Sequence, residues 1–162
     1  MSTKVAVALG SNLGDRRAHL DYAVSRLRSI LQATRVSRYI ETAPIDVPEE
    51  QPAFLNGAMV GETTLSPREL LSLLLAIEAE RGRARPFAHA ARTLDLDLVL
   101  FGDQMIQEPG LIVPHPRFRD RAFVLEPLAE IASDVVDPVT GATVGELALR
   151  LRVFLGASGA TP

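Results

Sequence analysis

Apolar and polar positions along this chain switch between two periods. Val5-Ala6-Val7-Ala8-Leu9 is an unbroken apolar run closed by Gly10, which reads as a buried strand. The turn Gly10-Ser11-Asn12-Leu13-Gly14-Asp15 follows, after which Leu20, Val24, Leu27 and Leu31 recur at helical spacing. The turn lacks the Gly-Lys-Ser/Thr ending of a phosphate loop, so it reads as a plain strand-to-helix connection. Thr34 to Thr42, with Val36, Tyr39 and Ile40, predicts a second strand. Ala43 to Ala53 carries Pro44, Pro48 and Pro52 beside Asp46, Glu49 and Glu50, a long connection of the kind that forms lids and binding loops. Phe54 to Gly61 resumes as a strand that puts Phe54 and Asn56 on one side. Taken alone, that pair reads most simply as a core ring beside a solvated or turn-bonded amide.

Ser66-Pro67-Arg68-Glu69 is a helix start: Ser as cap, Pro in the first position and Glu closing a capping box. Leu70, Leu74 and Ile77 form its buried stripe, Glu78 falls near its end and Gly82 stops it. Arg83 to Ala91 reads as a loop, and Leu94 to Phe101 as a strand closed by Gly102. Met105-Ile106 and Leu111-Ile112-Val113 suggest a hairpin, followed by His115 between Pro114 and Pro116. Arg121 opens a helix with Phe123, Leu125 and Leu128; a turn at Asp137-Pro138 and a helix over Val144 to Phe154 complete the chain. The last residues, from about 156, are too rich in Gly and Ala to pack.

The strand from Leu94 to Phe101 carries the candidate chemistry. Alternation turns Leu94, Leu96 and Leu98 to one face and Asp95 and Asp97 to the other, the two carboxylates roughly 6 to 7 Å apart. Like charges that close raise each other's pKa, and a divalent cation relieves the repulsion. Arg92, just upstream, is available for phosphate oxygens. A half-exposed strand with merely solvated carboxylates shows the same alternation, and the repeat alone does not choose between the two.

Composition narrows the setting. The 162 residues make one domain, expected over 1–162, with 47% apolar and 23% charged residues, as in an ordinary soluble globular chain. No apolar run is long enough to span a bilayer, the start lacks a signal-peptide pattern, and there is no cysteine; a cytoplasmic protein fits. The net charge of −3 argues against a general nucleic-acid binder. Arginines nonetheless cluster over Arg81–Arg92 and Arg117–Arg121, which points to a local anion site.

Arg92-Thr93-Leu94-Asp95-Leu96-Asp97-Leu98, with Val113-Pro114-His115-Pro116-Arg117 and Arg121-Ala122-Phe123, resembles the 6-hydroxymethyl-7,8-dihydropterin pyrophosphokinases of folate biosynthesis. Ala8-Leu9-Gly10-Ser11-Asn12-Leu13-Gly14 and Phe54-Leu55-Asn56 match that family in order and spacing, so the likeness covers roughly residues 4 to 137. It implies an α/β (α+β) ferredoxin-like sandwich, a mostly antiparallel sheet with helices packed mainly on one face. The implied reaction moves the β,γ-diphosphate of ATP to the hydroxymethyl group of the pterin and releases AMP, in a monomer that binds neither nucleic acid nor membrane.

By the same resemblance, Asp95 and Asp97 hold two Mg²⁺ ions that bridge the triphosphate. Arg83 and Arg92 close over the phosphates, and Glu78, Leu98, His115 and Arg121 complete the nucleotide contacts. Phe54 and Phe123 sandwich the pterin, next to Asp95, while Asn56 and the backbone of Thr42, Ala43 and Ile45 read its edge. The chain departs from the family at Leu75, where a glutamine is frequent, at Pro116 in place of a tyrosine, and at Gly110 in place of a basic residue. Phe87-Ala88-His89-Ala90-Ala91 also lacks the frequent Trp-Gly-Pro. Two other classes fit the bare residues: a ferredoxin-like RNA-binding module, which wants exposed aromatics on central strands and a basic face, and a metal-dependent phosphodiesterase, which wants further acidic ligands.

Overall fold

The structure, a computed structural model, describes residues 1–42, 53–82 and 93–157. Five strands, β1 (Thr3–Ser11), β2 (Gln32–Val36), β3 (Ile40–Thr42), β4 (Phe54–Thr63) and β5 (Asp95–Phe101), form one antiparallel sheet. Its order is β2-β4-β1-β5, with β3 also paired to β4. Four α-helices, α1 (Arg16–Arg28), α2 (Pro67–Glu80), α3 (Ala122–Ala132) and α4 (Val144–Ala157), complete the described elements with a short 3-10 helix (Phe118–Asp120) and a hairpin of β6 (Ile106–Glu108) and β7 (Leu111–Val113).

The central strand β1 is buried on both faces, and its alternation sorts the core into two layers. Val5, Val7 and Leu9 point to one face and pack with Leu20 and Leu27 of α1 and Leu70, Leu74 and Ile77 of α2. Ala6 and Ala8 point to the other, against Val124, Leu125 and Leu128 of α3 and Leu147 and Ala148 of α4. Among the strand residues, the second layer ends at Ala8 and Ala58. Local chemistry supports the helices where the sequence predicts it. Asp15 caps α1 through the Ala18 amide, and both halves of the Ser66–Glu69 capping box are made at α2.

Two details differ from the expected strands. Thr34 to Thr42 is not one strand: β2 and β3 are separated at Ser37, whose amide donates to Ala58 O (2.9 Å) and whose hydroxyl accepts from Ala58 N (2.9 Å). A side-chain oxygen has replaced a ladder carbonyl, which offsets the two halves. In β5, Val7 pairs with Leu98 and Ala6 with Leu100, so Val99 is an extra residue. Val99 and Leu100 consequently both face α3 and α4, while Phe101 returns to the first layer.

Candidate active site

The register of the sheet aligns the chemistry in one row. Asp95 of β5 pairs with Gly10 of β1, Gly10 with Asn56 of β4, and Asn56 with Ile40 of β3. One step further, Asp97 pairs with Ala8. Asp95 and Asp97 thus share the face of Ala8, at the border where the second core layer stops, and both are partly exposed. Leu94, Leu96 and Leu98 are all buried in the first layer, as the alternation predicts. Adjacent strands lie about 4.8 Å apart, which sets the backbones of Asp95 and Asn56 roughly 10 Å apart across Gly10.

Gly10 is what keeps this row open. A Cβ there would come 3.2 Å from Asn56 Oδ1 and 3.8 Å from Phe54 Cδ1, so both side chains lean over the glycine. Asn56 is 5% exposed, and its Nδ2 donates to Thr42 Oγ1 at 2.6 Å, which fixes the amide with its oxygen toward Gly10. The sequence reads Gly10 as the end of a strand and the start of a turn, within the Ala8–Gly14 stretch that resembles the family. A glycine that closes an apolar run reads alike whether it ends a strand or opens space beside it, and only the pairing with Asn56 and Asp95 separates the two.

Behind the aspartates, Glu78 of α2 is 3% exposed and its Oε2 accepts from Leu96 N at 2.6 Å. That bond satisfies an amide on the outer edge of β5 and pins the strand between the two aspartates. Leu98, expected near the nucleotide, has its side chain in the first core layer, 6% exposed. Ser11 Oγ and Thr93 Oγ1, at the same end of the sheet, are buried without a hydrogen-bond partner among the described residues.

The segment after β7 completes the wall. His115 N donates to Val99 O (2.9 Å), which seats the residue beside β5, and its Nδ1 accepts from Arg117 N (3.1 Å). With Nδ1 accepting, Nε2 carries the imidazole proton. Burial pushes its pKa below the ordinary value, Arg121 and Arg117 push the same way, and Asp95 opposes them. His115 is therefore neutral at pH 7 and a donor through Nε2. Arg121 is the N-cap of α3, with no side-chain hydrogen bond capping that helix. Its guanidinium lies 5.6 Å from the centroid of the Phe123 ring, within cation–π range.

The structure therefore brings together Asp95, Asp97, Asn56, Phe54 and Thr42, with His115, Arg121 and Phe123 on the adjoining wall. Ala43, Ile45, Arg83 and Arg92 lie outside the described residues. Two cavities of about 270 and 160 Å³ open at the opposite end of the sheet, around Lys4, Val60, Ala132 and Asp134, and neither is lined by any of these residues. The polar row, not the larger hollow, is the candidate site because convergent polar groups on an apolar scaffold are what orient a ligand.

Comparison with known proteins shows the family. The family model described as 7,8-dihydro-6-hydroxymethylpterin-pyrophosphokinase (HPPK) matches residues 6–133. The 2-amino-4-hydroxy-6-hydroxymethyldihydropteridine pyrophosphokinase of Bacillus subtilis (strain 168) is 43% identical over 153 residues, 93% of this chain and 91% of that protein. The enzyme of the same name from Pseudomonas aeruginosa is 41% identical over 140 residues, 83% of this chain and 84% of that one. Among solved structures, wild-type Plasmodium falciparum HPPK-DHPS superimposes with a TM-score of 0.76 over 98% of this chain at 14% identity, a likeness of fold. This chain spans 46% of that one, a little under half. By sequence and by fold, the chain belongs to the 7,8-dihydro-6-hydroxymethylpterin-pyrophosphokinase family.

Proposed function

We propose that this protein transfers the β,γ-diphosphate of ATP to the hydroxymethyl oxygen of 6-hydroxymethyl-7,8-dihydropterin, yielding the pterin diphosphate and AMP in folate synthesis. The observation that carries this reading is the row Asp95–Gly10–Asn56, which sets a carboxylate and a fixed amide on either side of a gap roofed by no side chain of its own. A flat heterocycle needs an aromatic face for affinity and paired hydrogen bonds for specificity. Phe54 and Phe123 supply the rings, and Asn56, Thr42, Ala43 and Ile45 read the pterin edge.

Asp95 and Asp97 suit Mg²⁺. They are two carboxylates on one open face, and among the described residues no cluster of three or more His, Cys, Asp or Glu could hold a metal by itself. Mg²⁺ in phosphate chemistry is held in just this way, by one or two carboxylates with the rest of its shell from water and substrate. When bound, the ions, two with ATP, supply charge neutralisation along the triphosphate. The donor set also disfavours a phosphodiesterase, which needs more acidic ligands.

Around that pair the chain's own groups align the reactants. The alcohol oxygen forms a bond to the β-phosphorus, the bond from the β-phosphorus to the oxygen bridging it to the α-phosphate breaks, that oxygen leaves with the electron pair on AMP, and the hydroxyl proton passes to water. His115 Nε2–H and Arg121 donate to the nucleotide, joined by Arg83 and Arg92 from outside the described residues. Glu78 and Leu98 form the rear of the nucleotide site, Glu78 by holding β5 in register. We read the whole chain as one catalytic domain that works as a monomer in the cytoplasm. Among the described residues, no helix is long and apolar enough to cross a membrane. The RNA-binding alternative is disfavoured by α3 and α4, which cover much of the sheet face that such a module exposes.

The test is a product assay with ATP, Mg²⁺ and the hydroxymethyldihydropterin. AMP should form in step with loss of the pterin; ADP as the nucleotide product overturns the assignment.

A further inference from the structure

Past the residues that match the family model lies a carboxylate whose burial the site chemistry does not explain. Asp137, in the connection from α3 to α4, is 0% exposed. Each of its oxygens accepts two hydrogen bonds. Oδ1 takes Arg119 Nη2 (2.9 Å) and Val139 N (3.1 Å); Oδ2 takes Arg119 Nε (2.6 Å) and Thr140 Oγ1 (2.7 Å). The Arg119 guanidinium also lies 4.7 Å from the centroid of the Phe118 ring, itself fully buried. A planar fork held by both carboxylate oxygens and laid on a ring has almost no freedom left.

Arg119 belongs to the segment that runs from His115 to Arg121. That segment is tied to β5 by the His115 amide and to the second core layer by Phe118. At its far end the Arg121 carbonyl accepts from Val124 N and Leu125 N of α3 (both 3.0 Å), and between these anchors the fork to Asp137 holds the side chain of Arg119. It also decides among three cations, Arg117, Arg119 and Arg121, spaced two residues apart. Each is drawn to a triphosphate, yet the fork commits Arg119 to Asp137, while Arg121 lies over Phe123.

We propose that Asp137 is a positioning residue. By clamping Arg119 it fixes the turn that presents His115 and Arg121 to the nucleotide, without touching substrate. This rests on the reading of His115 and Arg121 as nucleotide contacts. A displaced contact group is costly even when its chemistry is intact, since a shift of about 1 Å can cost on the order of 100-fold.

The experiment measures binding of α,β-methylene-ATP with Mg²⁺ and, separately, of the pterin, by calorimetry. In this analogue the bond broken in the transfer is a carbon bridge, so no turnover intervenes. Asp137→Asn places an amide donor against Arg119 or Thr140 and should weaken the analogue about tenfold while leaving pterin affinity within about twofold. Arg119→Lys keeps the charge but loses the fork, and should fall between wild type and Asp137→Asn. The double variant should bind no more weakly than Asp137→Asn alone, because both act through one interaction. Should Asp137→Asn not fold, Arg119→Lys carries the same two measurements.

His115→Ala and Arg121→Ala separate the two levels of the argument. If neither weakens the analogue, the reading of the nucleotide wall is wrong and the clamp's role falls with it. If they weaken it while Asp137→Asn and Arg119→Lys lower only thermal stability, with both affinities unchanged, Asp137 is structural and the positioning role is overturned.

Discussion

The two faces of the central sheet are made of different materials. Toward α1 and α2, the strands present Val5, Val7, Leu9, Met59, Leu94, Leu96, Leu98 and Phe101, all buried in one continuous layer. Toward α3 and α4 they present Val60, Val99 and Leu100 at one end, Ala6, Ala8 and Ala58 in the middle, then Gly10 and the polar groups Asn56, Asp97 and Asp95. Large side chains on the first face bury most of the apolar area and so carry most of the stability. The small residues of the second let other things come close: helices at one end, and at the other the gap between a carboxylate and an amide. One strand thus serves both purposes. Leu94 and the leucines of β5 up to Leu98 are buried in the first layer, and the intervening aspartates stand partly exposed on the other face.

The comparison breaks most visibly at the aspartates. Asp95→Ala and Asp97→Ala should each lower turnover by more than about 100-fold, beyond what loss of an outer partner does to a metal site. Neither should lower the unfolding temperature by more than a few degrees, since each removes a partly exposed charge from the border where the second core layer stops. Steady-state rates beside thermal melts check this. Near-normal turnover in both variants removes the metal assignment; a large drop in melting temperature removes the division of labour between the faces.

How much of this was legible beforehand depends on what kind of rule each feature obeys. Period-two alternation in Leu94–Leu98 states which side of β5 is buried, because the pleat allows no other assignment. The cap at Ser66 is equally local, since donor and acceptor lie three residues apart. Ser37 was not legible: its break of the second strand depends on Ala58 in a different strand, and no neighbour of Ser37 in sequence announces it. The same holds for Glu78, whose bond to Leu96 N makes it a brace for β5, and for Gly10, whose meaning lies in Asn56 and Phe54 across the ladder. The bulge at Val99 hid in a run of apolar residues that read alike in either register. Motif resemblance supplied the site residues, but their spatial row came from strand pairing.

Two glycines of neighbouring strands offer a matched probe. Gly57 faces the α1/α2 layer, where a Cβ would sit 2.9 Å from Tyr39 Cδ1 and 3.3 Å from Cε1. Gly57→Ala should therefore destabilise the fold by about 1–3 kcal/mol through overpacking, with substrate affinities of the folded protein little changed. Gly10→Ala puts its methyl 3.2 Å from Asn56 Oδ1, a side-chain atom that can give way. Stability should hardly move, while pterin binding weakens about tenfold, near 1.4 kcal/mol, as the amide and the Phe54 ring are pushed from place. Denaturant melts and pterin titrations on both variants read the pair. Swapped outcomes, with Gly10→Ala unfolding the chain and Gly57→Ala sparing it, would invert the assignment of the faces.

The smallest effect separates the two histidines of known surroundings. His19 lies at the α1/α2 side, where its Nδ1 accepts from Arg81 Nε at 2.9 Å; His115 lies at the site. Burial is the main cause lowering both pKa values from 6.5, with Arg81 assisting at His19 and Arg121 at His115. Since the unfolded chain binds more protons than the folded one below 6.5, each contributes stability that is complete above that pH. The contribution is lost as pH falls through the lower folded value. Bound nucleotide should part them. A triphosphate beside His115 favours its charged form and raises its pKa, whereas His19, on the packed face, has no new anion near it. Imidazole NMR titrations with and without Mg²⁺ and α,β-methylene-ATP should show the His115 midpoint moving up and that of His19 staying fixed. Equal movement of both would mean that the nucleotide acts through the whole fold, and no movement at His115 would place the phosphates elsewhere.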